Sequence, residues 1–472
     1  MNSLPILFFL SAAALSAALP TVGPDYTRPA VASLAAYRDG STAPEWKLAV
    51  PADQRGRGEW WQIFGDPELN QLEHRSLAAN QDLAAAAARV DQANALARVT
   101  RSEQWPQAAV DGSVTRERQS TAVANAFPQA VFTDYNLPLV ASWELDLFGR
   151  VRRLTEGARA DAAAAQALFA SVQLTLTADV AETYFELAGL DRELAVVNQT
   201  IELRQRELKL IAARRRLGSA TELDTARAET ELATVQVEAQ ALVVQRSAQQ
   251  DALAVLIGQP APDFAVAVAG LRAAPPIVPS GLPSDLLERR PDIAAAERGV
   301  AAANARIGVA KAAFFPTISL TGAGGIESGS TAQLFNTDAR VWAFGPSLYL
   351  PVFQGGRNRA NLERSRAAYA ENVAQFRQQV LAAVAEVQTA LTATQHLAIE
   401  SEAQARALSA AQRSAVLAQK RYDAGYVSYL EVIDAQRTAL ATERASVQLQ
   451  AQRLTTSVSL IKALGGAWVT GG

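Results

Sequence analysis

The chain has 472 residues, of which 49% are apolar, 7% aromatic and 19% charged, and its formal net charge is −3. This balance excludes a strongly charged surface for nucleic acid. Beyond the N-terminus, no apolar run reaches the roughly 18 residues of a membrane-spanning helix. Cysteine is absent, which excludes disulfides, thiolate metal sites and a cysteine nucleophile. Only His74 and His396 are present, so a histidine-rich metal site is excluded too, and we expect both to be solvated.

Residues 1–18 have the features of an export signal. Residues 4–19 are mostly apolar or small, and Ser16 and Ala18 are suited to cleavage after Ala18. The length fits a signal peptide better than a membrane span. No Lys or Arg precedes Arg28, and the alternative is a buried apolar segment. We expect a signal peptide, followed by an extended N-terminal segment at 19–65.

The rest of the chain repeats itself at a nearly fixed offset. Gly149-Arg150 recurs as Gly356-Arg357, and Gly218 recurs as Gly425, in each case 207 residues later. Two tandem copies of one unit are the economical interpretation. We place the repeats at 66–258 and 291–465, joined by a proline-rich connection at 259–290 and followed by a tail at 466–472.

Each repeat begins with a helix and continues with strands. Asp66 is a predicted N-cap with Pro67 at the first helical position, and this helix is expected to reach Trp105. Its counterpart lies at 291–315. Apolar and polar residues then alternate over 110–117 and 136–148, and again over 317–322 and 342–352. Alternation with one apolar face is typical of membrane-barrel strands, and the alternative is a soluble hairpin against a core.

A pair of long helices completes each repeat. Residues 150–217 and 357–424 contain no proline, and each stretch would span about 100 Å as a helix. The chain turns at Gly218 and Gly425. Capping boxes at Thr221 with Asp224 and at Ser428 with Glu431 predict the returning helices. Apolar residues seven apart in these helices indicate coiled-coil seams.

These pieces cannot close within one chain. Four strands are fewer than the roughly eight of the smallest membrane barrels. An open sheet edge cannot face lipid, because its unpaired backbone groups cost too much there. We therefore expect several chains to share one barrel and one helical tube.

Motifs along nearly the whole chain resemble the outer membrane factor (TolC-like) family, in the branch that serves resistance-nodulation-division efflux pumps. These motifs are Val22 to Tyr26; Trp60-Trp61, Phe64 and Asp66-Pro67; Trp143 to Arg150; Arg290 to Ile293 with Ala296-Glu297; Pro351 to Phe353 with Gly355 to Arg357; and Arg421-Tyr422, Gly425, Tyr429-Leu430 and Asp434 to Arg437.

The resemblance implies an α+β membrane protein that acts as a homotrimer. Twelve strands, four from each chain, would form one outer-membrane β-barrel continuous with a 12-helix α-barrel in the periplasm. The connection at 259–290 and the chain ends would form an equatorial belt. The duct would contact outer-membrane lipid and dock a periplasmic adaptor and an inner-membrane pump. We expect solute passage without chemistry, cofactor, metal or nucleic acid.

The resemblance also places a periplasmic gate at Leu430 and Asp434. Together with Arg437 they lie at i, i+4 and i+7, on one helix face. Three copies of Asp434 around an axis would form an acidic ring that Arg437 offsets, and Tyr422 is expected to hydrogen-bond to the neighbouring helix. The plainer interpretation is an exposed ion pair on a coiled coil, which contributes about 0 to 1 kcal/mol.

One position departs from the family pattern. Pro20 stands where members commonly carry the cysteine that bears a lipid, so we expect no lipid anchor. Arg214, Arg215 and Arg216 at the first turn are either a solvated helix end that suits the helix dipole or an adaptor contact. Two alternatives to the efflux duct remain: an exit duct for type I protein secretion and a soluble periplasmic coiled-coil scaffold.

Overall fold

The computed structural model describes residues 21–30, 58–118, 120, 131–266, 271, 275–276 and 289–466. Several predicted features lie outside the described residues. These are the signal peptide at 1–18, Pro20, much of the N-terminal segment, most of the connection between 267 and 288, and the tail from 467 onward.

The described part of the chain is mostly helical. Its α-helices are α1 (Pro67–Ala79), α2 (Gln81–Ser102), α3 (Arg150–Arg216), α4 (Glu222–Leu256), α5 (Pro291–Ala312), α6 (Arg357–Asp423) and α7 (Tyr429–Ala463). Helices α3 and α6 both have 67 residues, and α4 and α7 both have 35. These equal lengths support the duplication, whose boundaries stay a prediction. No described helix is both long and apolar enough to cross a membrane.

The first predicted helix is divided at Asn80, so the prediction of one helix up to Trp105 is wrong. The Asp66 cap is present, because its Oδ1 accepts hydrogen bonds from the backbone N–H groups of Glu68 and Leu69 at 3.0 and 3.3 Å. Asn80 has extended backbone; its Oδ1 accepts from the N–H of Leu83 at 2.9 Å, and its Nδ2 donates to the carbonyl of Leu256 at 2.9 Å. This side chain ends α1 and begins α2.

The strands form one antiparallel sheet. Strands β1 (Gln107–Val110) and β2 (Ser113–Arg118) both pair with β3 (Val131–Leu145), which pairs with β4 (Thr317–Ser328), which pairs with β5 (Arg340–Tyr349). The strand predicted at 110–117 is thus interrupted at residues 111–112. The sheet has four strand positions, and β1/β2 and β5 are its two edges among the described strands.

One face of the sheet is apolar and uncovered. Directly opposed residues in an antiparallel sheet share a face, and Val110, Leu139, Gly324 and Trp342 are opposed in turn. Some large apolar residues of this face are exposed in the single chain, Trp342 by 82%, and others are half-buried: Leu145, Ile318, Leu320 and Ile326. Others exposed on the same face are Val114, Leu137, Phe344 and Leu348. Trp143 is buried, and its indole N–H donates to the carbonyl of Gln104 at 3.0 Å.

The chain divides into two compact units, and each unit takes segments from both predicted repeats. One contains the described parts of residues 1–30, 89–166 and 295–377, including the whole sheet. In this unit the segment 21–30 is held by hydrogen bonds. The Asn304 side chain donates to the carbonyl of Pro24 at 3.0 Å, and the Tyr26 hydroxyl donates to Glu297 at 3.0 Å.

The other unit contains the described parts of residues 31–88, 167–294 and 378–472. Its largest core joins Trp60, Trp61 and Phe64, which lie in a short 3-10 helix (Trp60–Phe64), to buried residues of α1, α3, α4 and α7. The Trp60 indole donates to Thr177 at 3.1 Å. This short helix lies within the segment that was predicted to be extended.

Candidate functional site at the helical turns

Two glycine turns connect the long helices to the returning helices. Gly218 and Gly425 have φ values of 75° and 78°, in the left-handed region where a side chain is strained. The N–H of Gly218 donates to Arg215 and that of Ser219 to Arg214, both at 2.9 Å. Gly425 and the residue after it repeat the same two hydrogen bonds. This pattern is the Schellman motif, which explains why glycine stands at both turns.

The two returning helices begin differently. Thr221 and Asp224 form the predicted capping box: the Asp224 N–H donates to the Thr221 Oγ1 at 3.2 Å, and the Thr221 N–H donates to the Asp224 carboxylate at 3.0 Å. Ser428 occupies the N-cap of α7, but its side chain makes no capping hydrogen bond. The capping box predicted at Ser428 is therefore wrong.

Aromatic and cationic contacts tie the first turn to the second. The rings of Tyr422 and Tyr429 are 5.6 Å apart, and the Arg214 guanidinium lies 5.1 Å above the Tyr422 ring. Arg214 also pairs with Asp423 at 3.8 Å. The sequence predicted a hydrogen bond from Tyr422 to a neighbouring helix; the contacts described for Tyr422 are these ring contacts instead. Tyr429 is buried, and burial raises the pKa of its hydroxyl.

Leu430, Asp434 and Arg437 are all exposed on α7. Leu430 is 41% exposed, which is unusual for a leucine beside a well-packed cluster. The Arg437 guanidinium donates to Glu231 on α4, from Nε to Oε2 at 3.0 Å and from Nη2 to Oε1. This bidentate pair raises the pKa of Arg437. Arg437 is thus hydrogen-bonded to Glu231 and not to Asp434, and Asp434 is exposed to solvent.

A buried polar network that was not predicted from the sequence lies beside these residues. Arg204 on α3 is only 2% exposed and Glu231 only 4%, and their charged groups lie 3.7 Å apart. Arg204 also donates to Glu207 at 3.0 Å and to Gln436, and Gln436 donates to Glu207 at 2.6 Å. The i, i+3 spacing of Arg204 and Glu207 is the one local signal; the other partners are more than 20 residues away along the chain.

The site is a set of positioned side chains at the end of the helices. One apolar and one acidic side chain, Leu430 and Asp434, face solvent one helical turn apart. The network fixes α3, α4 and α7 around them. At the first turn, Arg215 pairs with Glu222, and Arg214 makes the contacts to the second turn. This arrangement presents an apolar and an acidic side chain to solvent near the helical turns.

Comparisons with known proteins find relatives along nearly the whole chain. The sequence model of the outer membrane efflux protein family matches residues 72–259 and 282–466. The chain is 34% identical over 460 residues to the toluene efflux pump outer membrane protein TtgF of Pseudomonas putida, covering 96% of both chains. It is 34% identical over 464 residues to the outer membrane protein OprJ of Pseudomonas aeruginosa, covering 97% of this chain and 95% of OprJ.

A solved structure shows the same fold. The crystal structure of the open state of the MtrE outer membrane channel of Neisseria gonorrhoeae superposes with a TM-score of 0.83 at 30% identity, covering 95% of this chain and 98% of that one. MtrE is an outer membrane channel by name, and TtgF is named as the outer membrane protein of an efflux pump. The predicted family, outer-membrane location and efflux role are confirmed: the chain belongs to the outer membrane efflux protein family.

Proposed function

We propose that three copies of this chain form one gated exit duct, which carries small solutes from the periplasm to the exterior. The observation that carries the proposal is the sheet. It has four strand positions, an uncovered apolar face and two edges that no other described strand covers. Lipid suits the apolar face, but an open edge cannot face lipid. Strands of other copies are the natural partners for both edges.

The strand pairing within the chain indicates how the copies join. In the centre of the sheet, β3 of the first repeat pairs with β4 of the second. Strand β5 corresponds to β3 in the other repeat, and β1/β2 corresponds to β4. The edge β5 of one copy is therefore matched to β1/β2 of the next. Three copies supply twelve strands, within the range of outer-membrane barrels.

The exposed pair Leu430 and Asp434 is the proposed periplasmic gate. Three copies around an axis bring three leucines and three carboxylates to one aperture. Like charges held close repel each other. The guanidinium of Arg437 bonds Glu231, so it forms no hydrogen bond with Asp434 that would offset the repulsion between the three carboxylates. The leucines narrow the aperture, and the carboxylates attract cations and are stabilised by them.

The proposed partners are a periplasmic adaptor and an inner-membrane resistance-nodulation-division pump. The name of the relative TtgF as part of a toluene efflux pump supports small organic solutes and drugs as cargo. The turn carrying Arg214 to Arg216 is the proposed adaptor contact, because it lies at the end of the helices and Arg215 and Arg216 are exposed there.

Measuring the mass of the detergent-extracted complex from the outer-membrane fraction tests this proposal. We expect a protein mass about three times that of the 50.2 kDa chain, because four strand positions need partners to close. A single-chain mass contradicts the shared duct. A soluble species would favour the periplasmic scaffold instead.

A further inference from the structure

The charged residues of the sheet are sorted by sign between its two faces. The described strands contain three basic residues, Arg116 and Arg118 on β2 and Arg340 on β5, and all three belong to the apolar face. The acidic residues of these strands all belong to the opposite face: Glu117, Asp134, Glu144 and Glu327. Among the described strands, one face thus carries only cations and the other only anions.

The strand register places the three arginines on the apolar face. Arg116 lies opposite Thr133, which is four residues from Leu137 and therefore on the same face as Leu137. Arg118 follows two residues later and points the same way. Arg340 lies opposite Ile326, which itself lies opposite Leu137. All three arginines are exposed, and within the described part of the chain none of them forms an ion pair.

The arginines lie toward the end of the sheet that is away from the helices. Helices α3 and α6 begin just after β3 and β5, and α2 and α5 end just before β1 and β4, so all four join the same end of the sheet. The helical part of the chain is periplasmic, and the other end of the sheet therefore faces the exterior. Toward that end the apolar face changes from Val114 to Arg116 on β2, and from Trp342 to Arg340 on β5.

The three arginines lie on the two edge strands, which the proposed barrel brings together. Within the chain, Leu137 on β3 lies opposite Ile326 on β4. The offset between the repeats is 207 residues just after β3 and β5, and 210 residues just before β1 and β4, where an aromatic residue and a proline precede each strand. The counterpart of the internal pair is therefore Phe344 of one copy opposite Arg116 of the next.

This register collects three cations at each junction between copies. Trp342 of one copy lies opposite Arg118 of the next, and Arg340 becomes the diagonal neighbour of Arg118, about 7 to 8 Å away. Cations this close repel each other, and an anion between them removes the repulsion. The acidic residues of the described strands cannot supply that anion, because they lie on the other face.

We propose that Arg340 of one copy, with Arg116 and Arg118 of the next, binds the phosphate groups of the outer-leaflet glycolipid, lipopolysaccharide. The guanidinium fork matches two phosphate oxygens at once. An arginine on a lipid-facing strand costs least near the interface, where its head reaches the headgroups and its stem lies along apolar surface. Trp342 and Phe344, on the same face, receive the acyl chains, which a free phosphate ion lacks. The inference rests on the proposed shared duct and names a lipid that it binds.

Native mass spectrometry of the detergent-extracted complex tests the inference. Purified diphosphoryl lipid A, the phosphate-bearing part of lipopolysaccharide, is added at rising concentration, and lipid adducts on the complex are measured. We expect the triple variant Arg116→Gln, Arg118→Gln and Arg340→Gln to bind about a hundredfold more weakly, from about fivefold for each arginine. The matched control Arg98→Gln, Arg406→Gln and Arg413→Gln removes three exposed arginines of α2 and α6 and is expected to bind like the natural protein.

The outcomes separate this inference from the proposed duct, because the same spectrum gives the mass of the complex. A complex of three chains that binds lipid A equally with and without the three outward arginines overturns the inference and leaves the duct standing. A mass of one chain overturns both. Dephosphorylated lipid A is expected to bind the natural protein as weakly as diphosphoryl lipid A binds the triple variant. Equal binding of the two lipids to the natural protein would mean that the acyl chains alone are recognised, which contradicts a phosphate site.

Discussion

Among the described contacts, the carboxylate of Asp434 makes no hydrogen bond or ion pair with the nearby Arg437. Arg437 comes three residues later on α7, close enough to pair with Asp434 in an isolated helix. Instead it makes a bidentate contact to Glu231, which is buried beside Arg204. A buried carboxylate left unpaired costs more than an exposed one, so Glu231 takes the guanidinium. This choice of partner leaves Asp434, in the proposed gate, exposed and without a hydrogen-bonded cation among the described residues.

We therefore expect Leu430→Ala and Asp434→Ala each to raise single-channel conductance in planar bilayers. The first removes bulk at the aperture, and the second removes charge that retains cations there. Asp251→Ala, an exposed acid on α4 far along the helix from the turns, is the matched control and should leave conductance as it is. Conductance unchanged in both gate variants would show that the aperture lies elsewhere.

Glu73 is a second residue whose charge state depends on its surroundings. It is fully buried in α1, and burial raises the pKa of its carboxyl from 4.5 to about 9. The native state keeps this proton at a pH where the unfolded chain has released it. Its contribution to the free energy of unfolding is therefore complete below about pH 4.5 and falls by about 1.4 kcal/mol per pH unit as the pH rises toward 9.

Glu73→Gln removes this titration. We expect the variant to gain thermal stability relative to the natural protein at pH 8 and to show a much smaller gain at pH 5, measured by circular dichroism of the detergent-extracted protein. Glu229→Gln, which changes an exposed carboxylate on α4, controls for the loss of one charge. An equal effect of Glu73→Gln at both pH values would contradict a buried protonated acid.

At the scale of elements, the two returning helices differ at their first turn although their lengths are equal. The Thr221 side chain accepts a hydrogen bond from the Asp224 N–H, and the Ser428 side chain makes no such bond. A capping side chain contributes about 1 kcal/mol to the helix end. Tyr429 and Val432, which are buried in a cluster, hold the start of α7 by packing instead.

Replacing each cap by alanine separates these two ways of starting a helix. Thr221→Ala is expected to speed amide hydrogen exchange in residues 222–226 about fivefold, which corresponds to about 1 kcal/mol. Ser428→Ala is expected to leave exchange in residues 429–433 nearly unchanged. Mass spectrometry of the corresponding peptides measures both. Equal acceleration in the two variants would mean that Ser428 caps α7 after all.

At the scale of the whole molecule, the duplication explains the open edges of the sheet. One repeat pairs its last strand with the first strand of the other. This contact occurs once inside the chain and leaves a matching edge open at either end. A contact of this head-to-tail kind closes into a ring when the rotation between units allows it. The mass of the complex measures that closure.

The sequence alone determined most of the local structure, although not the start of α7, where the capping box expected at Ser428 is missing. Helices of 67 and 35 residues, the glycine turns at Gly218 and Gly425 and the cap at Asp66 were predicted within a few residues. Each depends on neighbours within one or two helical turns, or on a repeat that can be read directly. The strands were found as well, because alternation is local; only the interruption at residues 111–112 and the exact ends were not.

Tertiary structure alone decided which distant groups meet. The break at Asn80 depends on the carbonyl of Leu256, and the partner of Arg437 lies 206 residues away on another helix. The burial of Arg204 requires α3, α4 and α7 to pack in one register. No local pattern carries this information, because a side chain pairs with whatever charge the packing brings near it. The residues of the proposed gate were visible in the sequence; which charges remain free was set by the fold.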